Sequence, residues 1–151
     1  NVAPETIARL GKLTNVVAVK EASGNIEQVM QIRMLSDVTV LSGDDSLTFP
    51  IMCLGGKGVI SVSANVLPKA LAEMCSLMLN GEVAKAQAIH RKLYPLFKAL
   101  FLESNPIPVK TALKMMGMIN GEMRLPLCEM GSDNAKKLRD VLKELELLKD
   151  V

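Results

Sequence analysis

Three short runs rich in β-branched residues, VVAV at 16–19, VTVL at 38–41 and GVISVSANV at 58–66, are each followed by a helical stretch of crossover length. Hairpin strands are joined by a few turn residues, whereas parallel strands need a connection of a dozen or more, usually a helix. The spacing therefore predicts βα repeats and a parallel sheet. The runs are apolar throughout rather than alternating, which predicts strands covered on both faces. The fold class expected is α/β.

The helices are read from periodicity and their punctuation. PETIARLGK at 4–12 is a short helix with Pro4 in its first turn and Gly11 near its stop. NIEQVMQIRML at 25–35 follows helical spacing, with Asn25 as the cap. SLTFPIMCLGG at 46–56 is a short helix ending at paired glycines, with Pro50 close enough to its start to be tolerated. From Pro68 onward the chain is helical, with breaks at Asn80-Gly81, at SNPIP (104–108) and at GEMRLPL (121–127). The last helix, 132–150, starts at Ser132-Asp133 and carries leucines at 138, 142, 145 and 148. Three parallel strands leave both sheet edges open, so missing chain, a partner or the helices must cover them.

Charge and composition exclude several classes. Eighteen basic against sixteen acidic residues give a net charge of +2, and the aromatics are three Phe and one Tyr with no Trp. Neither the basic stripe nor the stacking aromatics of a nucleic-acid binder are present. No apolar run approaches the ~20 residues that span a bilayer. Cys53, Cys75 and Cys128 are odd in number and form no C-x-x-C, which points to free thiols in a reducing cytoplasm rather than a zinc cage or redox pair. The chain opens on Asn1 rather than on an initiator Met.

Lys20 is the first candidate for chemistry, because it ends the first strand and βα proteins collect functional groups at the C-terminal strand ends. An amine walled by apolar neighbours gives up its proton more readily, and the free amine is a nucleophile for a carbonyl. The alternative is a lysine leaving the strand into solvent with its stem over apolar surface. At the second strand tip, SGDD (42–45) offers two carboxylates for a cation or substrate hydroxyls, or an Asp cap beside a turn at Gly43. GGKG (55–58) precedes a strand instead of opening a helix, so it is read as a tight turn and not a phosphate loop. His90 has no Cys or carboxylate partner at helical spacing and is read as structural, and the methionines as adaptable packing.

Taken together, VKEASGN (19–25), LSGDD (41–45), GGKGVISVSANV (55–66), NPIPVK (105–110) and RLPLCEM (124–130) closely resemble the dihydrodipicolinate synthase family, in that family's order and spacing. KEASGN with NPIPVK resembles the synthase branch more than the N-acetylneuraminate lyases. The resemblance implies the C-terminal part of a (β/α)₈ barrel over 1–67, then the closing helix and a helical C-terminal region over 68–151. It implies condensation of pyruvate with aspartate semialdehyde, on the route to lysine and diaminopimelate, without metal or organic cofactor. Lys20 is matched to the imine-forming lysine, Ile60 to a residue whose backbone contacts the pyruvate end, and Gly43 to a glycine lining the site. Asp44 and Asp45 follow Gly43, with Asp44 taken as substrate-binding.

The resemblance also implies a cytoplasmic homo-oligomer, tetrameric in the family, or a complementary N-terminal half. It covers the C-terminal half of the family's length, and the family's catalytic tyrosine and threonine-rich turn lie upstream of the residue matching Asn1. General acid–base groups supply about 10²–10⁴-fold in rate, so the isolated chain is expected to be weakly active or inactive. A non-catalytic assembly fragment and a sister pyruvate aldolase are the rival readings.

Overall fold

The computed structural model describes residues 1–148. Its elements in chain order are α1 (Pro4–Leu10), β1 (Ala18–Glu21), α2 (Ile26–Leu35), β2 (Thr39–Ser42), α3 (Thr48–Cys53), α4 (Pro68–Leu79), α5 (Val83–Ala99), α6 (Ile107–Met115) and α7 (Ser132–Glu144). Single 3₁₀ turns occupy Asp45–Leu47 and Ser63–Asn65. The chain divides into two compact units, one of Asn1–Ser61 with Ala72–His90, the other of Val62–Leu71 with the chain from Arg91 on.

In the first unit β1 and β2 pair in parallel, with register from Ala18 opposite Thr39 to Glu21 opposite Ser42. The βα repeat is therefore present, with α2 as its crossover. Asn25 caps α2 as its sequence predicts: its Oδ1 accepts from the Glu27 and Gln28 amides at 2.9 and 3.3 Å. Ile7, Val29, Ile32, Val38, Val40 and Ile51 form the core of this unit. The turn after α3 is built on glycines for steric reasons. Gly55 has φ +93°, and a Cβ at Gly56 would fall 2.7 Å from Ile51 Cγ2.

Two strand expectations are corrected. The third strand, expected over 58–66, is reduced to one bridge, Ser42 to Val59. Three backbone bonds hold it, from Lys57 to Val40, from Ser42 to Gly58 and from Ile60 to Ser42, at 2.8–2.9 Å. Beyond Ile60 the chain leaves the sheet and turns at Ser63–Asn65, because a β-rich sequence is extended only as far as a neighbouring strand supplies partners. The second concerns β1, which is not covered on both faces. Ala18 and Lys20 are exposed, Val19 is half-buried and Glu21 buried, and Val17 just before the strand is 72% exposed. The face carrying Lys20 has no covering layer among the described residues.

The second unit is helical. Leu96, Leu100, Ile107, Val109, Ala112, Leu138 and Leu142 pack at its centre. The break at SNPIP contains a cis Asn105–Pro106 bond, and α6 begins immediately after it. The expected last helix begins at Ser132 but ends at Glu144, with Leu145–Leu148 outside it; Lys149 and Asp150 lie beyond the described residues. Among the described residues, no helix is long and apolar enough to cross a membrane.

Candidate active site at the strand tips

Parallel pairing puts the C-terminal ends of β1, β2 and the Val59 bridge on one side of the sheet. β1 lies two residues later than the apolar run at 16–19, so Lys20 is its last residue but one and Glu21 ends it; Gly43 and Asp44 follow β2, and Ile60 follows the Val59 bridge. The three loops that the sequence singles out thus open at the same end.

Lys20 and Gly43 are in direct contact. The Gly43 amide donates to the Glu21 carbonyl at 2.7 Å, extending the ladder one residue past β2. This draws Gly43 so close that a Cβ there would lie 2.8 Å from Lys20 Cε and 2.6 Å from Ala22 Cβ. The glycine is needed for space: only the absence of a side chain lets the lysine stem cross it. Lys20 also borders an open hollow of about 350 Å³, together with Asn1, Val19, Glu21 and Ala22. A hollow of about 370 Å³ in the helical unit, floored by Met115, Met123 and Met130, includes none of the candidate residues.

Asp44 takes the role of a cap. Its Oδ1 accepts from both the amide and the hydroxyl of Ser46 at 2.8 Å, and Asp45 is buried. The Ser42 hydroxyl donates to the Asp44 carbonyl at 2.7 Å and closes the same turn. Ile60 is 49% exposed, and its N–H is engaged with the Ser42 carbonyl. Among the described residues, no group of three or more His, Cys, Asp or Glu side chains is placed to hold a metal ion. The cysteines are free thiols: Cys53 and Cys128 are exposed, and burial pushes the Cys75 thiol pKa up.

Sequence reading passes over one feature. Glu21, directly after Lys20, is buried at 5% exposure and its carboxylate is fully engaged. Oε1 accepts from the Ser23 amide at 2.7 Å, and Oε2 accepts from Gln28 Nε2 at 3.1 Å. The side chains of Gln28 and Asn1 exchange two further bonds, at 2.7 and 3.0 Å. The available signal was Gln28, a polar residue one turn from Ile32 on the buried stripe of α2.

Comparison with known proteins identifies the family. The family model described as the dihydrodipicolinate synthetase family matches residues 1–145. The chain is 54% identical over 149 residues to a 4-hydroxy-tetrahydrodipicolinate synthase of Methanocaldococcus jannaschii, and 48% identical over 150 to one of Archaeoglobus fulgidus. It covers 98% of itself and 52% of each relative in these matches, so it spans about half the length of the curated relatives it matches. A crystal structure of dihydrodipicolinate synthase from Thermotoga maritima superposes with a TM-score of 0.94 at 49% identity, over 98% of this chain and 52% of that one. Another dihydrodipicolinate synthase structure, 54% identical, gives 0.95 over the same shares. With the family model spanning nearly every residue and relatives near 50% identity, the chain belongs to the dihydrodipicolinate synthetase family.

Proposed function

We propose that this chain supplies the imine-forming half of a lyase-type synthase that condenses pyruvate with L-aspartate 4-semialdehyde in lysine and diaminopimelate biosynthesis. The Lys20 amine attacks the pyruvate keto carbon, a C–N bond forms, and the keto oxygen leaves as water. The protonated imine withdraws electrons, so the methyl carbon loses a proton and becomes a nucleophilic enamine. That carbon bonds to the aldehyde carbon of the second substrate, whose oxygen takes up a proton. Hydrolysis then returns the free lysine.

The observation that carries this reading is the contact of Lys20 with Gly43 at the strand tips, where a Cβ would come within 2.8 Å of Cε. A lysine left free in solvent needs no such gap in its neighbour. In this reading Gly43 makes room for the stem and the Ile60 backbone meets the pyruvate end. Asp44 shapes the second loop and borders the substrate. The fold is the last part of a (β/α)₈ barrel over 1–67, followed by a closing helix and helical region over 68–151. Turnover requires acid–base groups from upstream barrel strands, worth about 10²–10⁴-fold. A complementary N-terminal half provides them, and the homo-oligomer is the other partner this reading expects.

Borohydride trapping tests this directly. The chain is incubated with pyruvate, reduced, digested and mapped by mass spectrometry, with Lys20→Arg as control. A single adduct on Lys20 is expected. No adduct, or labelling scattered over many lysines, would overturn the reading of this chain as an imine-forming unit.

One observation favours a second reading, a non-catalytic assembly fragment. The free edge of β1 is apolar, with Val2, Leu10, Val16, Ala18 and Val38 lining a hollow of about 140 Å³ beside it. Adding the preceding half of a full-length relative should restore turnover under the first reading, and should change nothing under the second.

A further inference from the structure

We propose that Glu21 is the positioning residue for Lys20, acting through the hydrogen bonds of its carboxylate and not through its charge. This rests on the imine-forming role assigned to Lys20 above. Successive strand residues point to opposite faces, so Lys20 faces the open side while Glu21 faces α2. Exposure agrees, with Lys20 exposed and Glu21 buried. A buried carboxylate is costly unless its oxygens are satisfied, and an apolar residue of similar size would pack there at least as well. What the carboxylate adds is geometry.

Three separate segments converge on Glu21. Its Oε1 holds the Ser23 amide in the loop after β1, and its Oε2 holds Gln28 on α2. Its carbonyl accepts from Gly43 of the second loop at 2.7 Å. The loop is fixed further by the Ser23 hydroxyl, which accepts from the Asn25 amide at 3.1 Å just before Asn25 caps α2. Residue 21 is thus pinned by side chain and main chain on both sides of the strand. Lys20, one bond earlier and packed on Gly43, inherits that position. The Ser23 donor is a main-chain N–H and fixed, whereas the Gln28 amide can turn over to donate or accept, so residue 21 needs an acceptor for Ser23 and a second polar group for Gln28.

That requirement yields a discriminating pair of variants. Glu21→Met is of similar length but accepts neither N–H, so it loses the hold on Ser23 and the strand-to-helix bond to Gln28. The exchange Glu21→Gln with Gln28→Glu restores it in reverse, with residue 21 donating to residue 28 and still accepting from Ser23. The negative charge moves from the strand to the helix, while the hydrogen bonds between them persist. The exchange shifts a mismatch only onto Asn1, which is exposed.

The experiment measures the rate of pyruvate–borohydride trapping on Lys20 against pyruvate concentration in all three proteins, with folding followed by circular dichroism. Misplacing a reacting group by an ångström costs up to about a hundredfold, so Glu21→Met should slow the maximal trapping rate roughly ten- to a hundredfold. The pyruvate concentration for half-maximal rate should change little. The exchanged pair should recover the wild-type rate.

Wild-type trapping by Glu21→Met, or a folded exchange variant that stays slow, overturns the proposal while leaving the imine reading intact. If Glu21→Met does not fold, the exchange variant decides alone by the same criterion. An unlabelled Lys20 in the wild-type chain overturns the imine reading and this inference with it.

Discussion

A methyl group at position 43 has nowhere to go: it meets Ala22 Cβ at 2.6 Å and Lys20 Cε at 2.8 Å. The lysine end can swing aside, but Ala22 Cβ is fixed to the backbone. Gly43→Ala should therefore cost about 1–3 kcal/mol in urea unfolding, as overpacking does. It should also slow pyruvate trapping on Lys20 by roughly tenfold or more, because the stem must leave its place. A variant with wild-type trapping would mean that the contact is incidental. His90 supports a second prediction at this scale. Its ring lies 5.5 Å from that of Phe49, and burial lowers its pKa from the usual 6.5. The folded state thus favours the neutral ring, and the unfolded chain binds the proton first as pH falls. The contribution is whole above pH 6.5 and is lost as pH drops through the lowered folded value. Between pH 7.5 and 5 the urea midpoint of the wild type should fall further than that of His90→Phe.

Helix starts show how much of an element is local. Asn25 and α2 were legible because a cap and its amides are two or three residues apart. The start of α7 at Ser132 was legible too, but what holds it was not. The N-cap position is Gly131, with no side-chain cap, and the start is held by Glu103, whose Oε1 accepts from the Gly131 amide at 3.0 Å and from Asn134 Nδ2 at 2.9 Å. Glu103→Ala should destabilise the chain by about 0.5–1.5 kcal/mol in denaturant titration, the scale of the hydrogen bonds it loses. Asp133→Ala should cost less, since Asp133 contributes only a charge in the first turn. Equal costs for both would mean that the helix start owes no more to Glu103 than to its own first turn. The third strand marks the other limit of legibility. SVSAN carries β-branched and small residues that suit a strand, yet only Val59 bridges to Ser42. Strand length is decided by a neighbour's backbone, which the segment's own sequence does not contain.

At the scale of the whole molecule, the open question is the outer edge of β1. Val17 is 72% exposed beside it, and the strand pairs only with β2 among the described residues. An apolar strand edge invites pairing with another chain, and a lysine there discourages it. The wild type should show concentration-dependent association in sedimentation velocity, and Val17→Lys should shift it toward monomer with little change in the urea midpoint. A wild type that stays monomeric at every concentration would mean the edge is not adhesive. The sequence by itself determined the βα repeat, the parallel direction of β1 and β2, Lys20 near a strand tip, the cap of α2 and the glycine turn after α3. These follow from periodicity, capping and turn chemistry, which act over a few residues. Tertiary structure alone decided that Gly43 makes room for Lys20, that Glu21 and Gln28 bond in the interior, that Glu103 holds the start of α7 and that one face of β1 lies open. Asn1 and Gln28 are 27 residues apart, Glu103 and Gly131 28. Only folding brings such groups within hydrogen-bond range, and no local pattern records which of them will meet.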